Sequence, residues 1–373
     1  MPQLGRRSEF QLILVRRPTM KLVIFGLTIS SSWGNGHATI WRGLCNALAR
    51  AGHEVVFFEQ DVPYYASHRD LQHASTYDLV LYPEWGQVRQ RAWEEIASAD
   101  SAIVTSYCPD AVPAAELMLN AAVPVRVFYD LDAPVTLERL RNGEKVDYVP
   151  PFGLKPFDLV LSYTGGRALD ELRNSLGARN VAALYGSVDP DLHQPVAENP
   201  QYSSHLSYLG TYAPDRQAAL EQFFLEPARQ SPEKKFLIGG ALYPAEFPWS
   251  NNVWFVRHVP PPEHPAFYCS SNLTLSVTRS AMADMGYCPS GRLFEAAACG
   301  TPVISDYWEG LEEFFEPGKE ILIASDSTDV CDAISLNPAE LDQIAGAARE
   351  RVLSEHTAQH RSQELLRLLE AAA

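Results

Sequence analysis

Two glycines and a histidine separate a buried strand from a helix near the start of the chain. The apolar run at residues 22–25 is followed by Gly34-Asn35-Gly36-His37, and an amphipathic helical pattern begins at Ala38. Glycine lets a ligand come close to the backbone, and the free N–H groups at a helix N-terminus attract anions. The loop therefore fits a phosphate or a sugar, although a tight turn capped by His37 fits it equally well. It is not the dinucleotide fingerprint, because the third glycine is missing.

A second stretch places a carboxylate just inside a helix N-terminus. The segment Pro289–Ile304 reads as a loop, a short helix, a glycine cap and a buried strand. Ser290 suits the N-cap position, so the helix that follows can offer backbone N–H groups to a diphosphate. Glu295 lies about one turn further in, where its carboxylate could accept hydrogen bonds from sugar hydroxyls. The alternative is a small-residue helix packed on a sheet, with Glu295 in solvent.

Six short apolar runs in the first half of the chain predict the strands that must position the first loop. Amphipathic stretches lie between several of them, such as Ala38–Ala51, which ends at the helix-capping Gly52. This alternation indicates a parallel sheet covered by helices on both faces. The predicted strands are Lys21–Leu27, Glu54–Glu59, Leu79–Tyr82, Ala102–Ser106, Pro124–Tyr129 and Leu159–Ser162.

The strand–helix pattern restarts after a proline-rich polar stretch. We predict an interdomain linker at Val188–Pro195, followed by polar residues up to Ser204. A helix at Arg216–Phe224 and a long helix from Pro338 to the end belong to the second half. Two doubly wound domains imply a cleft, with ligands bound beyond the carboxyl ends of the strands. The second set of predicted strands is Leu206–Leu209, Phe236–Gly239, Val253–Phe255, Leu273–Ser276, Val303–Ser305 and Ile321–Ala324.

Composition narrows the class of protein. The chain has 373 residues, enough for two domains with their own cores. Its formal net charge of −16 argues against nucleic acid or an anionic membrane surface as the main partner. The six cysteines form no C-x-x-C pair, which favours reduced thiols in a cytoplasmic protein. No apolar run is long enough to span a bilayer, and residues 1–19 are predicted to be a disordered extension or to precede the true start.

Four motifs in order resemble a known enzyme family. The segment Pro289–Glu316, PSGRLFEAAACGTPVISDYWEGLEEFFE, is similar to the donor-binding signature of nucleotide-sugar glycosyltransferases with the GT-B fold. More narrowly, the chain resembles the CgeB-like spore-maturation glycosyltransferases, through its SSWGNGHA loop, YDLDAPVTL at Tyr129–Leu137 and YGSVDP at Tyr185–Pro190. The resemblance covers nearly the whole chain from Met20. It implies two Rossmann-like domains facing each other across a cleft: an acceptor domain at 20–195, a donor domain at 196–350, and a C-terminal helix at 351–373 packing back toward the first domain.

The resemblance also implies roles for individual residues of the donor site. Glu295 would bind the donor ribose. Positive charge beside the diphosphate leaving group would come from Arg279, the favoured candidate because it follows a strand, and from Arg216, which would as readily be solvated. The other implied donor contacts are Gly210, Thr211, Thr278, Ser290, Gly291 and Arg292.

Two features bear on the chemistry of transfer. Many retaining members of this fold have two glutamates eight residues apart, but the first would fall at Tyr287 here, so the stereochemical outcome stays open. Asp130 and Asp132 form a D-x-D pair after a strand. Carboxylates suit hard cations, but in the GT-B context we predict no metal site and favour Asp130 as an acceptor contact or general base. Helix capping ahead of Pro134 is the alternative.

These expectations combine into one predicted function. The protein would move a hexosyl group from a nucleoside-diphosphate sugar, UDP- or dTDP-linked by preference, to a hydroxyl of a small molecule or glycan. His37 would act as the base or hold the sugar or acceptor. We expect no tightly bound cofactor, no nucleic-acid partner and no transmembrane segment. The alternatives are a sugar-nucleotide epimerase of the same fold and a catalytically silent sugar-nucleotide-binding protein.

Overall fold

The computed structural model describes residues 19–373, so the extension predicted at residues 1–19 lies outside them except for Thr19. Within the described residues, the first domain has a seven-stranded parallel sheet in the order β3-β2-β1-β4-β5-β6-β7. Its strands are β1 Lys21–Gly26, β2 Glu54–Gln60, β3 Asp78–Tyr82, β4 Ser101–Thr105, β5 Val125–Asp130, β6 Leu159–Ser162 and β7 Val181–Ala183. Its helices are α1 His37–Arg50, α2 Pro63–Ala66, α3 Trp85–Ala97, α4 Ala111–Asn120, α5 Ala133–Arg141 and α6 Arg167–Leu176.

The second domain repeats this architecture. Over the described part of the chain its parallel sheet has six strands in the order β10-β9-β8-β11-β12-β13. These are β8 Leu206–Leu209, β9 Phe236–Gly239, β10 Val253–Val256, β11 Thr274–Ser276, β12 Val303–Ser305 and β13 Leu322–Ile323. The helices are α7 Gln217–Leu220, α8 Glu226–Gln230, α9 His264–Cys269, α10 Ser280–Met285, α11 Gly291–Ala298, α12 Ser327–Ala333, α13 Pro338–Glu355 and α14 Ala358–Ala372. A π turn at Glu221–Leu225 joins α7 to α8, and 3₁₀ turns occupy Pro214–Arg216, Pro261–Glu263 and Leu311–Glu313.

The central strands of both sheets are buried on both faces, whereas the edge strands β7 and β10 are partly exposed. Burial on both faces explains why the central strands are continuous apolar runs rather than alternating ones. In β1, Val23 and Phe25 pack into one hydrophobic cluster, and Leu22 and Ile24 pack into another on the opposite face. The predicted strands are confirmed to within one or two residues at their ends. The sequence missed β7, a three-residue strand paired with β6 at the edge of the sheet.

The long terminal helix predicted from Pro338 is wrong in one respect, because it is two helices broken at His356 and Thr357. Thr357 begins α14 by accepting a hydrogen bond from the N–H of His360. Val188 from the linker donates to the His356 carbonyl at 3.0 Å and accepts from Ala358 at 2.8 Å. Before this break α13 packs on α11, and after it α14 packs on α1.

The last helix joins the core of the first domain. Leu365, Leu366 and Leu369 of α14 are buried in the cluster that contains Leu22 and Ile24. The chain therefore passes from the first domain to the second at the linker and returns through the break before α14. None of the described helices is both long and apolar enough to cross a membrane.

Candidate functional site

A cavity of about 520 Å³ lies between the carboxyl ends of the two sheets and is lined by both domains. Its size falls in the range of small-molecule sites, about 300–1,000 Å³. Every site residue expected from the sequence lines it except Asp130. Those residues are Gly34, Asn35, Gly36, His37, Gly210, Thr211, Arg216, Thr278, Arg279, Ser290, Gly291, Arg292 and Glu295.

The loop after β1 turns the His37 side chain into the cavity. Gly34 has φ of +60°, a conformation that favours glycine. The side chain of buried Asn35 accepts the backbone N–H of His37 at 3.0 Å, so Asn35 satisfies the first donor of α1. The His37 imidazole makes no capping bond, and its buried Nδ1 has no hydrogen-bond partner among residues 19–373.

A carboxylate lies beside this imidazole. Nε2 of His37 is 3.6 Å from Oδ2 of Asp132, and the two side chains are 17% and 18% exposed. Asp132 occupies the N-cap position of α5, directly after β5. The ring of Tyr107, which also lines the cavity, lies 5.9 Å from that of His37. An imidazole next to a carboxylate is an arrangement that supports general-base chemistry.

Asp130 does not reach the cleft wall, contrary to its expected role as an acceptor contact or base. Its side chain is fully buried at the end of β5 and does not line the cavity. Burial raises the pKa of Asp130 to about 6, although the N–H of Asp132 donates to its Oδ1 at 3.0 Å. Of the D-x-D pair, only Asp132 faces the ligand space, because the chain turns from β5 into α5 between the two residues.

On the opposite wall Arg292 projects from the first turn of α11. Its Nε donates to the carbonyl of Leu209, its Nη1 lies 3.4 Å from Oγ of Ser276, and its guanidinium lies 4.9 Å from the centre of the Tyr208 ring. These contacts hold a cation where β8 and β11 end. Ser290 precedes the first residue of α11, so the free N–H groups of that helix open at the same place.

The sequence favoured Arg279 over Arg216 as a diphosphate-binding residue, but the contacts of the two side chains favour Arg216. Arg279 is paired with Asp215 at 2.7 Å. Arg216 donates through Nη1 to the Thr211 carbonyl at 3.2 Å, while its buried Nε has no partner in the described part of the chain. Neither Arg216 nor Arg292 forms an ion pair with any described residue. An anion in the cavity would therefore meet Arg216 and Arg292 directly, but Arg279 only in competition with Asp215.

Glu295 lies on α11 among groups that the sequence did not single out. Its Oε2 accepts a hydrogen bond from the Tyr268 hydroxyl at 3.3 Å. Nε2 of His193 is 4.0 Å from its Oε1, and Nδ1 of His264 is 3.9 Å from its Oε2. Burial acts to raise the pKa of Glu295, but the two histidines and Arg292 outweigh that effect, so its pKa lies below the usual value. Burial also lowers the pKa of His264 to about 4. His193 and His264 are isolated in sequence, so no spacing signalled them.

Tyr287 occupies the position where the retaining pattern would place its first glutamate. Its ring fills the junction between the domains: a Cβ at Gly166 would lie 2.6 Å from it and one at Gly310 2.5 Å. Its carbonyl accepts the N–H of Gly165 at 2.9 Å. It does not line the cavity, and the nearby Asp284 is exposed elsewhere. Among the described residues that do line the cavity, Asp132 and Glu295 are the only carboxylates.

Comparison with known proteins agrees with this architecture. Residues 216–367 match the family model described as glycosyl transferase-like. No curated protein is a match for the chain. The sucrose-phosphate synthase tll1590 from Thermosynechococcus elongatus is similar in structure, with a TM-score of 0.68 and 16% identity over 95% of this chain and 100% of the other.

Two further similar structures contain a nucleotide sugar. Anabaena Alr3699/HepE in complex with UDP-glucose has a TM-score of 0.64 and 14% identity over 94% of this chain and 100% of the other. An alpha-glucosyltransferase in complex with UDP-glucose and DNA containing an abasic site has a TM-score of 0.68 and 13% identity over 95% of this chain and 100% of the other. The protein therefore has the two-domain GT-B fold, with a second domain that matches a glycosyl transferase-like family.

Proposed function

We propose that the protein is a glycosyltransferase that moves a hexosyl group from a UDP-sugar to an acceptor hydroxyl. The observation that carries the proposal is the interdomain cavity. One wall has an imidazole–carboxylate pair, and the other has a helix N-terminus, Glu295 and two arginines that form no ion pair with any described residue. The glycosyl transferase-like match over residues 216–367 supports it. A closer kinship with the CgeB-like enzymes is part of the same proposal.

The donor would bind to the second domain. The carboxylate of Glu295 accepts hydrogen bonds from the ribose hydroxyls, and the diphosphate lies at the N-terminus of α11 beside Arg292 and Arg216. We favour uridine as the base because similar structures were solved with UDP-glucose. A dTDP-sugar differs in its base and in lacking the ribose 2′-hydroxyl, so it belongs in the same test.

The transfer would take place next to His37. As the acceptor oxygen attacks the anomeric carbon, His37 takes the hydroxyl proton, and the Asp132 carboxylate stabilises the imidazolium that forms. The new glycosidic C–O bond forms while the bond from the anomeric carbon to the phosphate oxygen breaks. The charge that develops on the departing UDP is met by the arginines and the dipole of α11, and the proton on His37 then passes to solvent.

This scheme commits the reaction to inversion. A deprotonated acceptor that displaces UDP directly attacks the face opposite the leaving group. Tyr287 offers no carboxylate beside the sugar, and among residues 19–373 the only carboxylate on the first-domain wall is Asp132. NMR of the product should therefore show the anomer opposite to that of the donor, and a product of retained configuration would contradict the base role of His37.

The test is incubation with UDP-glucose, UDP-galactose, UDP-N-acetylglucosamine and dTDP-glucose, each with and without a panel of glycan, small-molecule and duplex DNA acceptors. We expect acceptor-dependent UDP release and a product heavier by one hexose, with no transfer to DNA because the net charge is −16. Conversion of the donor without any acceptor would indicate an epimerase instead. Tight binding without turnover on any donor would indicate a binding protein.

A further inference from the structure

Three potential metal ligands meet at one end of the cavity. One atom from each of His193, His264 and Glu295 lies within 4.8 Å of the other two, the one such group of histidine, cysteine or carboxylate side chains found among residues 19–373. The two imidazole rings are 5.9 Å apart between their centres. His193 is only 3% exposed, and within the described chain neither of its ring nitrogens has a hydrogen-bond partner.

The hydrogen bonding of His264 fixes where its lone pair points. Its Nε2 lies 3.1 Å from the backbone carbonyl oxygen of Val259. Because a carbonyl only accepts, Nε2 must be the protonated nitrogen, which leaves Nδ1 of the neutral ring with a free electron pair. That Nδ1 is buried, has no partner among the described residues, and faces the carboxylate of Glu295 at 3.9 Å. Two electron-pair donors that face each other in a buried site are stabilised by an electropositive group between them, either a proton or a metal ion.

We propose that His193, His264 and Glu295 bind a divalent transition-metal ion, zinc by preference. Two imidazole nitrogens and one carboxylate form a set typical of zinc sites that keep an open fourth position. A histidine that binds a metal through one nitrogen usually donates its other N–H to a carbonyl or carboxylate, as His264 does to Val259. Ligand atoms around tetrahedral zinc lie about 3.4 Å apart, so small side-chain rotations would close the present spacing.

Ribose hydroxyls alone explain the cluster less well. They could donate to Glu295 and to Nδ1 of His264, because both of these residues line the cavity. His193 does not line it, so a nucleoside in the cavity would leave the buried nitrogens of His193 without a partner. An ion held by all three residues gives a partner to Nδ1 of His264 and to one of the two ring nitrogens of His193, and its fourth position faces the nucleoside end of the cavity. Only the occupant of that fourth position rests on the proposed function.

The experiment uses the full chain, freed of metal by dialysis against a chelator. Zinc is titrated back, the protein is desalted, and its metal content is measured by plasma mass spectrometry. Co²⁺ is added to a parallel sample to record its visible absorption, whose intensity reports tetrahedral coordination without any mutation. The variants are His193→Gln and His264→Gln. His205→Gln is the matched control, since His205 is a half-buried second-domain histidine outside the cavity, bonded to the N–H of Lys235 at 2.9 Å.

The expected result is one zinc ion per chain and an intense Co²⁺ spectrum. Zinc affinity should be at least about 10-fold weaker in both ligand variants, since loss of even an outer-shell partner typically costs that much. Zinc affinity of the control variant should be unchanged. Failure of the wild type to retain zinc, or equal retention by the ligand variants, would overturn the proposal. UDP binding is measured in parallel by calorimetry. Binding of UDP but not zinc would refute the metal site and leave the proposed function standing. Binding of zinc but not UDP would contradict the proposed function and leave the metal site standing.

Discussion

Replacing Asp132 by asparagine isolates the charge next to the proposed base. Nε2 of His37 and Oδ2 of Asp132 are 3.6 Å apart, and both side chains are less than one-fifth exposed. When His37 accepts the acceptor proton it becomes positive, and the Asp132 carboxylate stabilises that charge. Asparagine keeps the shape of the side chain and is an equally good helix N-cap residue, so α5 should begin unchanged.

The size of the effect follows from the distance between the two groups. Opposite unit charges about 4 Å apart attract by about 1 kcal/mol in water and about 4 kcal/mol at the effective dielectric constant of about 20 typical of partly exposed pairs. Because about 1.4 kcal/mol changes a rate tenfold, Asp132→Asn should lower kcat by about 10- to 10³-fold. The affinity for UDP should change by less than about twofold, because an interaction made only in the transition state affects turnover and not ground-state binding.

The assay measures UDP release at saturating donor, with calorimetry of UDP binding on the same preparations. Asp110→Asn is the control: Asp110 is the N-cap residue of α4 and accepts the Tyr82 hydroxyl at 3.0 Å, but it does not line the cavity. His37→Ala and His37→Gln should each lose about 10²–10⁴-fold in turnover. Recovery of activity in His37→Gln would show that His37 only holds a substrate. Wild-type turnover in Asp132→Asn would refute the pairing.

Four further outcomes are expected. Glu295→Ala should weaken UDP binding by about 1.5–3 kcal/mol, the range for a charge-assisted hydrogen bond, whereas Tyr268→Phe, tested by the same calorimetry, should have a much smaller effect. Asp215→Asn should tighten UDP binding about 3- to 10-fold, because it frees Arg279 and removes a negative charge near the diphosphate; weaker binding would place that ion pair outside the donor site. Addition of Mg²⁺ or Mn²⁺ to protein in buffer free of both should change turnover by less than about twofold, because arginines and a helix N-terminus supply the positive charge; a strict requirement would contradict this. Burial raises the pKa of Asp130 to about 6, so between about pH 4 and 6 the folded state keeps a proton that the unfolded state releases. The free energy of unfolding of the wild type should therefore fall by up to about 3 kcal/mol, relative to that of Asp130→Asn, as pH rises through that range. Urea unfolding of both proteins measures this difference.

Much of the fold can be predicted because its central strands are buried on both faces. Continuous apolar runs such as Lys21–Gly26 stand out from the polar loops around them. The signal weakens where burial weakens: β7 is a three-residue, half-buried strand of sequence VAA. The break before α14 depends on Val188, which lies far away in sequence and pairs with the backbone around Thr357, so no local pattern could reveal it.

The candidate site was predictable where a motif is local and not where contacts are long-range. The helix N-terminus at Ser290 and the glycine loop at Gly34 are encoded within a few residues. The environment of Glu295 is not, because His193 comes from the linker and His264 from the start of α9. The ranking of Arg216 and Arg279 as anion-binding residues could not be predicted from the sequence either, because it depends on the ion pair between Arg279 and Asp215.

The chain lacks the first glutamate of the two-glutamate pattern, and it instead has a carboxylate, Asp132, beside His37. We interpret these two features together. Tyr287 replaces the carboxylate that would stand beside the transferred sugar, and its ring packs against glycines of both domains. Tyr287 thus contacts both domains, and in the proposed mechanism the carboxylate next to the reacting hydroxyl, Asp132, comes from the first domain. In the proposed mechanism, proton transfer by the first domain and charge stabilisation by the second both depend on the cavity between the domains, and Tyr287 contacts glycines on both sides of that junction.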